Sequence, residues 1–350
     1  MQWTGLLADW RLVCLCATTL CLVGLSADAE DDVENDGVLK DRADTGPIVT
    51  LQVENDYFVS DDDSQYTHGM RLSYYSGANE VPGIVREGAQ LLPFFADWGD
   101  LRSSFAIGQN MYTPDDLSAT EPIEDDRPYA GWLHVDIGLT SDTQARRDLV
   151  ELSLGVVGPA SHAEQVQTEF HEVIDAPVGE GWDNQIGNEP AVMLSYERQY
   201  RGYEPWHIGD LEVDAVPNWG FAVGNVYDYG STGVMFRFGS DLTQDYGPPL
   251  IQPGLPGSGY FERRGWDEVN WYVFGGVEGS AVAYNVFLDG NMFRDSQSVP
   301  KEIFVGEVQT GVVVTVGDLR VGFTQVFRSP EFKGQDDPDH YGAITVSAGF

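Results

Sequence analysis

The residues best suited to chemistry lie around the tip of the first predicted hairpin. Asn55 and Asp56 end one alternating strand, and Thr67 begins the returning strand after three consecutive aspartates at 61–63. Carboxylate and carbonyl oxygens of this kind bind hard cations such as Ca²⁺. The hairpin could therefore hold a calcium ion, and a solvated acidic loop is the simpler alternative for the three aspartates.

A histidine on a predicted helix is the candidate general base. Ser161 to Glu164 has the spacing of a capping box, and apolar residues follow at helical spacing, which predicts a helix over about residues 162–175. His171 lies at the margin of the apolar stripe, where it could act on a substrate held between the helix and the rest of the protein. A solvated surface histidine is the simpler alternative.

The elements that must position these residues are strands. Alternating apolar and polar segments recur from residue 47 to Phe350, each near the ~9–11 residues of a tilted transmembrane strand. About thirteen segments can be counted, and since single-chain barrels have an even number of strands, we expect twelve. The chain is predicted to be all-β, a transmembrane antiparallel β-barrel with a short helix in an extracellular loop region. A soluble β-sandwich would also alternate but would leave the terminal phenylalanine unexplained.

The alternation also predicts which way the candidate side chains face. Asn55 and His68 fall on the apolar face, whereas Asp56 and Thr67 fall on the polar, inward face. An asparagine facing lipid at mid-depth would be costly, so the strand is expected to leave the membrane or to bulge at Asn55. Long polar stretches are assigned to outer loops: 76–101, 113–128, 239–267 and 328–339.

The first 46 residues are not expected to belong to the barrel. Residues 1–29 contain Arg11, an apolar stretch and a small-residue cleavage site, the pattern of a secretory signal peptide. The apolar stretch, of about 14 residues, is shorter than the roughly 20 that a membrane anchor requires. Residues 30–46 are acidic and typical of disorder, which leaves 47–350 for the barrel. Cleavage would remove all three cysteines, at 14, 16 and 21.

Several motifs follow one another in the chain: Glu54-Asn-Asp with Tyr66-Thr-His-Gly-Met-Arg-Leu72, Ile107-Gly-Gln-Asn-Met-Tyr-Thr-Pro-Asp-Asp116, Asp126-Arg-Pro-Tyr-Ala-Gly-Trp132, Leu154-Gly-Val-Val-Gly-Pro159, Gly181-Trp-Asp-Asn-Gln185 and Tyr196-Glu-Arg198. Together they resemble the LpxR-type family of outer-membrane lipid A 3′-O-deacylases. The resemblance extends from about residue 47 to Phe350. Several motifs in one order are more specific than any one of them alone.

The resemblance implies a monomeric twelve-stranded barrel in the outer membrane of a Gram-negative bacterium, with its active site near the outer leaflet. Family enzymes hydrolyse the ester of the 3′ acyloxyacyl group of lipid A with the help of Ca²⁺. By this resemblance Asn55, Thr67 and His171 are catalytic residues, and Asp56 binds the metal. His171 would take a proton from water, which attacks the ester carbonyl.

Two positions fit the family pattern less closely. The acidic residue that follows the family histidine is assigned to Glu180, as a catalytic residue, with Asp175 as the alternative. The chain has Thr67-His68-Gly69 where the family pattern leads us to expect Thr-Asn-Gly. The histidine is expected to alter the local pocket.

The net charge of −37 restricts the partners. No basic stripe is present to neutralise phosphates, which argues against nucleic acid. The same charge would repel the phosphates of lipid A unless divalent cations bridge them. Arg71, Arg127 or Arg198 could also contact phosphate, and pairing with carboxylates in the lumen is the simpler alternative.

Two other functions remain open from the sequence. An outer-membrane phospholipase or acylhydrolase would keep the histidine and the cation but accept glycerophospholipids. A non-catalytic barrel would bind cations in its acidic loops and would be indifferent to His171→Ala. A barrel of about twelve strands is narrow and often filled by side chains, so a wide pore is not expected.

Overall fold

The computed structural model describes residues 46–59, 65–174, 177–202, 204–266 and 268–350. The predicted signal peptide at 1–29, the acidic segment up to residue 45, the aspartates at 61–63 and Asp175 lie outside the described residues.

Twelve long antiparallel strands close into a barrel within the described ranges. Consecutive wall strands pair with each other, β1 pairs with β13, and β6 pairs with β8, so that the ring is complete. The short β7 pairs with the start of β8. The wall strands are β1 (Ile48–Asn55), β2 (Gln65–Tyr75), β3 (Asp100–Thr113), β4 (Ala130–Asp142), β5 (Arg146–Val157), β6 (Glu189–Tyr200), β8 (Leu211–Gly224), β9 (Tyr227–Gly239), β10 (Val269–Asn285), β11 (Phe304–Val316), β12 (Leu319–Arg328) and β13 (Asp339–Gly349), and β7 is Trp206–Ile208. The predicted twelve-stranded barrel is confirmed.

The helices are few and short. They are α1 (Gly83–Ala89), α2 (Ala163–Ile174) and α3 (Val286–Asp289), with 3₁₀ turns at Asp56–Phe58, Pro159–Ser161, Trp182–Asn184 and Leu242–Gln244. Helix α2 begins one residue after the predicted start at 162, in the connection between β5 and β6. None of the helices in the described ranges combines the length and the apolar character needed to cross a membrane.

Side chains alternate between the lumen and the outside along each wall strand. On β1, Gln52 and Glu54 are buried whereas Leu51 is exposed, because successive side chains of a strand point to opposite faces. The outward rows are apolar around the barrel and include Leu72, Phe105, Ile137, Leu154, Val192 and Phe236. An apolar outer band over a polar interior is typical of a wall that faces lipid.

The two ends of the barrel carry different loops. We call the end where β1 begins and β13 ends the terminal end, and the opposite end the site end. Connections 114–129, 158–188, 286–303 and 329–338 lie at the site end, whereas 76–99 and 240–268 lie at the terminal end. Assigning all four long stretches to outer loops was therefore wrong, because they lie at both ends of the barrel, and the number of preceding strands, not loop length, decides the end.

The long connection after β9 fills the barrel. Residues 240–266, which we call the lumen segment, enter from the terminal end, and wall side chains hold their backbone. Glu54 accepts hydrogen bonds from Ile251 N at 2.6 Å and Gln252 N at 3.1 Å. Arg320 Nη2 donates to Ser258 O at 2.7 Å. Gln199 Nε2 donates to Pro256 O at 2.8 Å and to Tyr246 O at 3.1 Å. This filled interior agrees with the expectation that the barrel has no wide pore.

Replacing Glu54 by alanine should lower the thermal stability of the barrel. The change leaves the buried N–H groups of Ile251 and Gln252 and the hydroxyl of Tyr66 without their acceptor. An unsatisfied buried group costs about 1–3 kcal/mol. The measurement is the unfolding temperature in detergent, followed by circular dichroism.

Gln52, two residues earlier on the same face of β1, provides the matched control. Both polar atoms of its side chain are buried without a hydrogen-bond partner among the described residues. Gln52→Met should therefore unfold at or above the wild-type temperature. Equal unfolding temperatures for Glu54→Ala and wild type would show that this carboxylate does not secure the lumen segment.

Candidate functional site

A bulge in β2 sets the orientation of Thr67. The ladder between β2 and β3 shifts between Tyr66 and His68, so Thr67 is an extra residue on the bulged strand. The Tyr66 hydroxyl donates to Glu54 in the lumen, whereas the Thr67 hydroxyl lies 2.7 Å from that of Thr113. The prediction that Thr67 faces inward was therefore wrong: the extra residue interrupts the alternation and turns Thr67 to the side of His68.

Asn55 and Asp56 lie where the first strand ends. Asn55 Nδ2 donates to Thr67 O at 2.8 Å, and Asn55 Oδ1 accepts from Tyr57 N at 3.0 Å, which caps the 3₁₀ turn. Asp56 Oδ1 also accepts from Tyr57 N, at 2.8 Å, and the carboxylate is buried. The expectation was that the strand leaves the membrane or bulges at Asn55; β1 ends at this residue, and the amide is satisfied there.

Helix α2 packs on the outside of the wall beside these residues. Ala163 and Val166 pack in a cluster with Met111 and Trp182, and Trp182 Nε1 donates to Gln167 Oε1 at 2.7 Å. The apolar face of the helix therefore packs against Met111 on β3 and against Trp182 in the connection between α2 and β6.

Gly131 allows the start of the helix to approach β4 closely. A Cβ atom at Gly131 would lie 2.3 Å from Ala163 Cβ and 2.2 Å from Ser161 Oγ. A side chain here would push the helix away from the wall. Gly131 of the sequence motif therefore has a packing role at the candidate site.

His171 lies on helix α2, and its side chain is buried, so it is not a solvated surface histidine. Its Nδ1 is hydrogen-bonded to the carbonyl of Pro177, and only 4% of the residue is exposed. If Nδ1 carries the proton that this carbonyl accepts, Nε2 is left with a lone pair.

Aromatic rings connect His171 with the hairpin residues. Phe170 stacks on His68 with ring centroids 6.0 Å apart, and the centroids of Phe170 and His171 are 6.2 Å apart. His68 Nδ1 lies 3.5 Å from Asn55 Nδ2. The structure thus gathers Asn55, Thr67 and His171 on one outward patch, with Asp56 next to Asn55 in the chain.

Glu180 lies on the connection that follows helix α2. Its side chain is exposed, and its backbone N–H donates to Leu117 O at 2.8 Å. Its role remains a prediction. His68 was expected to alter the local pocket, and it lies in the patch. Phe170 and Thr113 were not identified as members of the patch from the sequence, because they reach it through contacts between different elements.

The oxygen donors around Asp56 suit a hard cation. The Asp56 carboxylate and the Asn55 and Thr67 oxygens are of the type that Ca²⁺ prefers. Within the described ranges no group of three or more His, Cys, Asp or Glu side chains is arranged to hold a metal ion. The aspartates at 61–63, in the same hairpin, are outside those ranges.

The loop next to the patch is fixed by buried polar contacts. Asp126 accepts hydrogen bonds from Asp115 N and Arg127 N, both at 2.7 Å, and burial raises the pKa of its carboxyl above the usual range. Asp115 in turn accepts from Gln65 Nε2 at 2.7 Å, at the start of β2. The loop 114–129 is thereby attached to the strand that carries Thr67.

The three arginines considered for phosphate contacts are paired with carboxylates. Arg71 binds Asp136 at 3.0 Å and Glu151 at 2.6 Å in the lumen. The other two pairs are Arg127 with Glu331 at 2.8 Å and Arg198 with Asp148 at 2.7 Å. The simpler alternative, pairing with lumen carboxylates, is found for Arg71, whereas Arg127 and Arg198 pair with carboxylates elsewhere. The lumen cavity lined by Arg71, Asp136 and Glu151 is separate from the outward patch.

Comparison with known proteins gives one family and one closely shared fold. The family model described as "Outer membrane protein LpxR" matches residues 12–350. The structure of LpxR from Salmonella typhimurium superimposes with a TM-score of 0.70 at 21% identity, over 87% of this chain and 100% of that chain. The beta domain of the Bordetella autotransporter BrkA is a more distant match, with a TM-score of 0.44 at 10% identity, over 87% of this chain and 99% of that one. A search of curated protein sequences gave no significant match.

Proposed function

Because the chain belongs to the LpxR family of outer membrane proteins, we propose that it is a Ca²⁺-dependent lipid A 3′-O-deacylase. The observation that carries this proposal is the outward position of Asn55, Thr67 and His171, beside helix α2 at the site end of the wall. A lipid anchored in the surrounding leaflet can bring an ester bond to this patch from the side. The lumen, in contrast, is filled by the lumen segment.

In this proposal His171 is the general base. Its Nδ1 is held by the Pro177 carbonyl, so Nε2 can take a proton from a water molecule as the water oxygen attacks the ester carbonyl carbon. The tetrahedral intermediate then loses the sugar oxygen as the ester C–O bond breaks. The protonated imidazole returns its proton to that oxygen, which leaves a hydroxyl on lipid A and a free fatty acid.

Asn55 and Thr67 would position the water or stabilise the oxyanion. The Thr67 and Thr113 hydroxyls, 2.7 Å apart, use one proton in their mutual hydrogen bond, so the second hydroxyl proton can be donated elsewhere. The Asn55 side chain is fixed at both ends, because its amide donates to Thr67 O and its oxygen accepts from Tyr57 N. Fixed donors of this kind need little reorganisation during the reaction.

Asp56 would hold the calcium ion, together with oxygen donors of the same hairpin. When bound, the ion would supply positive charge that polarises the ester carbonyl. We assign Glu180 to the site as its acidic residue, with Asp175 as the alternative. A carboxylate near His171 would stabilise the imidazolium that forms when the base is protonated.

Mass spectrometry of the lipid product tests the proposal. The purified protein should release the 3′-linked acyloxyacyl group from lipid A in the presence of Ca²⁺, and a chelator should stop the release. Phosphatidylethanolamine, incubated in parallel, should remain intact.

The other outcomes separate the alternatives. Fatty acid released from phosphatidylethanolamine as readily as from lipid A would indicate a general phospholipase. Intact lipids in both incubations, with a folded barrel, would indicate a non-catalytic protein.

A further inference from the structure

The connection between β2 and β3 folds back over the outside of the wall at the terminal end. Residues 77–99, which we call the external segment, include α1 and pack against the outward side of β4, β5 and β6. Ala96 N donates to Asp148 Oδ2 at 2.9 Å, and Leu92 and Phe95 pack with Leu139 and Val150. The segment is therefore attached to the face of the wall that elsewhere faces lipid.

The external segment covers an ion pair on that outward face. Leu154 and Leu194 are exposed on β5 and β6, and Asp148 and Arg198 lie an even number of residues away on the same strands, so they point outward too. Asp148 is 0% exposed, and its Oδ1 accepts from Arg198 Nε at 2.7 Å. The hydroxyl of Tyr196 donates to the same carboxylate at 2.8 Å.

Such a pair would be costly against hydrocarbon. Charged groups within a membrane are tolerated where protein surrounds them and supplies their hydrogen bonds. Here the external segment supplies the Ala96 N–H to Asp148 and the Phe94 carbonyl to Arg198. The segment therefore separates the ion pair from the environment outside the barrel.

Large apolar side chains are exposed on the external segment, alongside the polar residues Glu80, Glu87 and Gln90. Leu91 is 83% exposed, Phe94 76% and Trp98 71%, and Ile84 on α1 is exposed as well. The Arg146 guanidinium lies 5.3 Å from the centroid of the Trp98 ring, so a cation stands beside the aromatic group. Large apolar groups concentrated in so short a surface segment mark an interaction surface.

We propose that the external segment binds lipid, lying in the interface of the leaflet at the terminal end. Its exposed apolar side chains continue the outward apolar band of the same strands, where Phe105 on β3 and Ile137 on β4 are exposed. Aromatic residues and basic side chains together are typical of the boundary between hydrocarbon and headgroups. Ile84, Leu91, Phe94 and Trp98 would insert among the acyl chains, and Arg146 would lie at headgroup level.

Spin labels on single cysteines test this placement. The full chain, with Cys14, Cys16 and Cys21 replaced by serine, is labelled at Leu91→Cys or Trp98→Cys and inserted into vesicles of phosphatidylethanolamine and phosphatidylglycerol. Phe105→Cys on the exposed wall is the lipid-facing control, and Asp210→Cys, in the exposed β7–β8 turn at the same end, is the aqueous control. Collisions with oxygen, which concentrates in hydrocarbon, and with a water-soluble nickel chelate are measured.

The expected result is that labels at both segment positions collide with oxygen as often as the label at Phe105→Cys. They should collide with the nickel chelate much less often than the label at Asp210→Cys. Nickel collisions at the Asp210→Cys level would place the segment in water and overturn the proposal. Labels shielded from both reagents would indicate that protein, such as a second copy of the chain, covers the segment, and would overturn it as well. Since the labelled residues are exposed, the substitutions are compatible with a folded barrel.

Discussion

Replacing His171 by alanine should abolish ester hydrolysis of lipid A while the barrel remains folded. The imidazole of His171 can accept a proton from water, and the Pro177 carbonyl holds it in one orientation. Loss of a general base lowers rates by about 10²–10⁴-fold. The measurement is the initial rate of acyl release from lipid A in detergent micelles, by mass spectrometry.

His207 provides the control for this substitution. It is an exposed histidine on β7 at the terminal end, far in the fold from helix α2. His207→Ala should keep the wild-type rate and unfolding temperature, and His171→Ala should still unfold in a single transition in detergent. A His171→Ala variant that is folded and fully active would remove His171 from the mechanism and leave the base to be found elsewhere.

The strands and the helix were predictable because each produces a periodic pattern. Alternation with a period of two identified most of the wall strands between β1 and β13, and the spacing after Ser161 identified α2 to within a residue of its start. Asn55 was also predictable as the point where β1 ends, because an asparagine in the outward apolar row needs hydrogen-bond partners that lipid cannot supply.

Features that depend on long-range contacts were not predictable. The bulge at Thr67 adds one residue to β2 and reverses the facing of the side chain, yet the sequence around it still alternates. The lumen segment and the external segment are both polar stretches with interspersed apolar residues, which resemble ordinary loops. Their places are set by partners far away in sequence, such as Glu54 for Ile251 and Asp148 for Ala96.

Two neighbouring residues of β1 serve opposite sides of the wall. Glu54 points into the lumen and binds the backbone of Ile251 and Gln252, whereas the next residue, Asn55, binds Thr67 on the outside. A strand that is fixed from within holds its outward side chains in one place. The filled lumen can therefore contribute to the geometry of a site that it does not contact.

Replacing Asp56 by asparagine should lower the affinity for calcium and, with it, the rate of lipid A hydrolysis. The substitution keeps the size of the side chain and an oxygen that can accept from Tyr57 N, but it removes the negative charge. Loss of an interaction that supports a metal site typically costs 10–100-fold in affinity or activity. The measurement is the hydrolysis rate as a function of Ca²⁺ concentration, and high Ca²⁺ should restore part of the rate.

The response to calcium distinguishes the proposed role of Asp56 from a structural one. Asp125, an exposed aspartate in the loop 114–129 at the same end, is the matched control, and Asp125→Asn should leave the calcium dependence unchanged. A slower Asp56→Asn enzyme with the wild-type half-saturating Ca²⁺ concentration would mean that the carboxylate shapes the turn after β1 without binding the ion. An unchanged rate would exclude both roles, because a buried carboxylate beside Asn55 would then contribute neither charge nor position to the reaction.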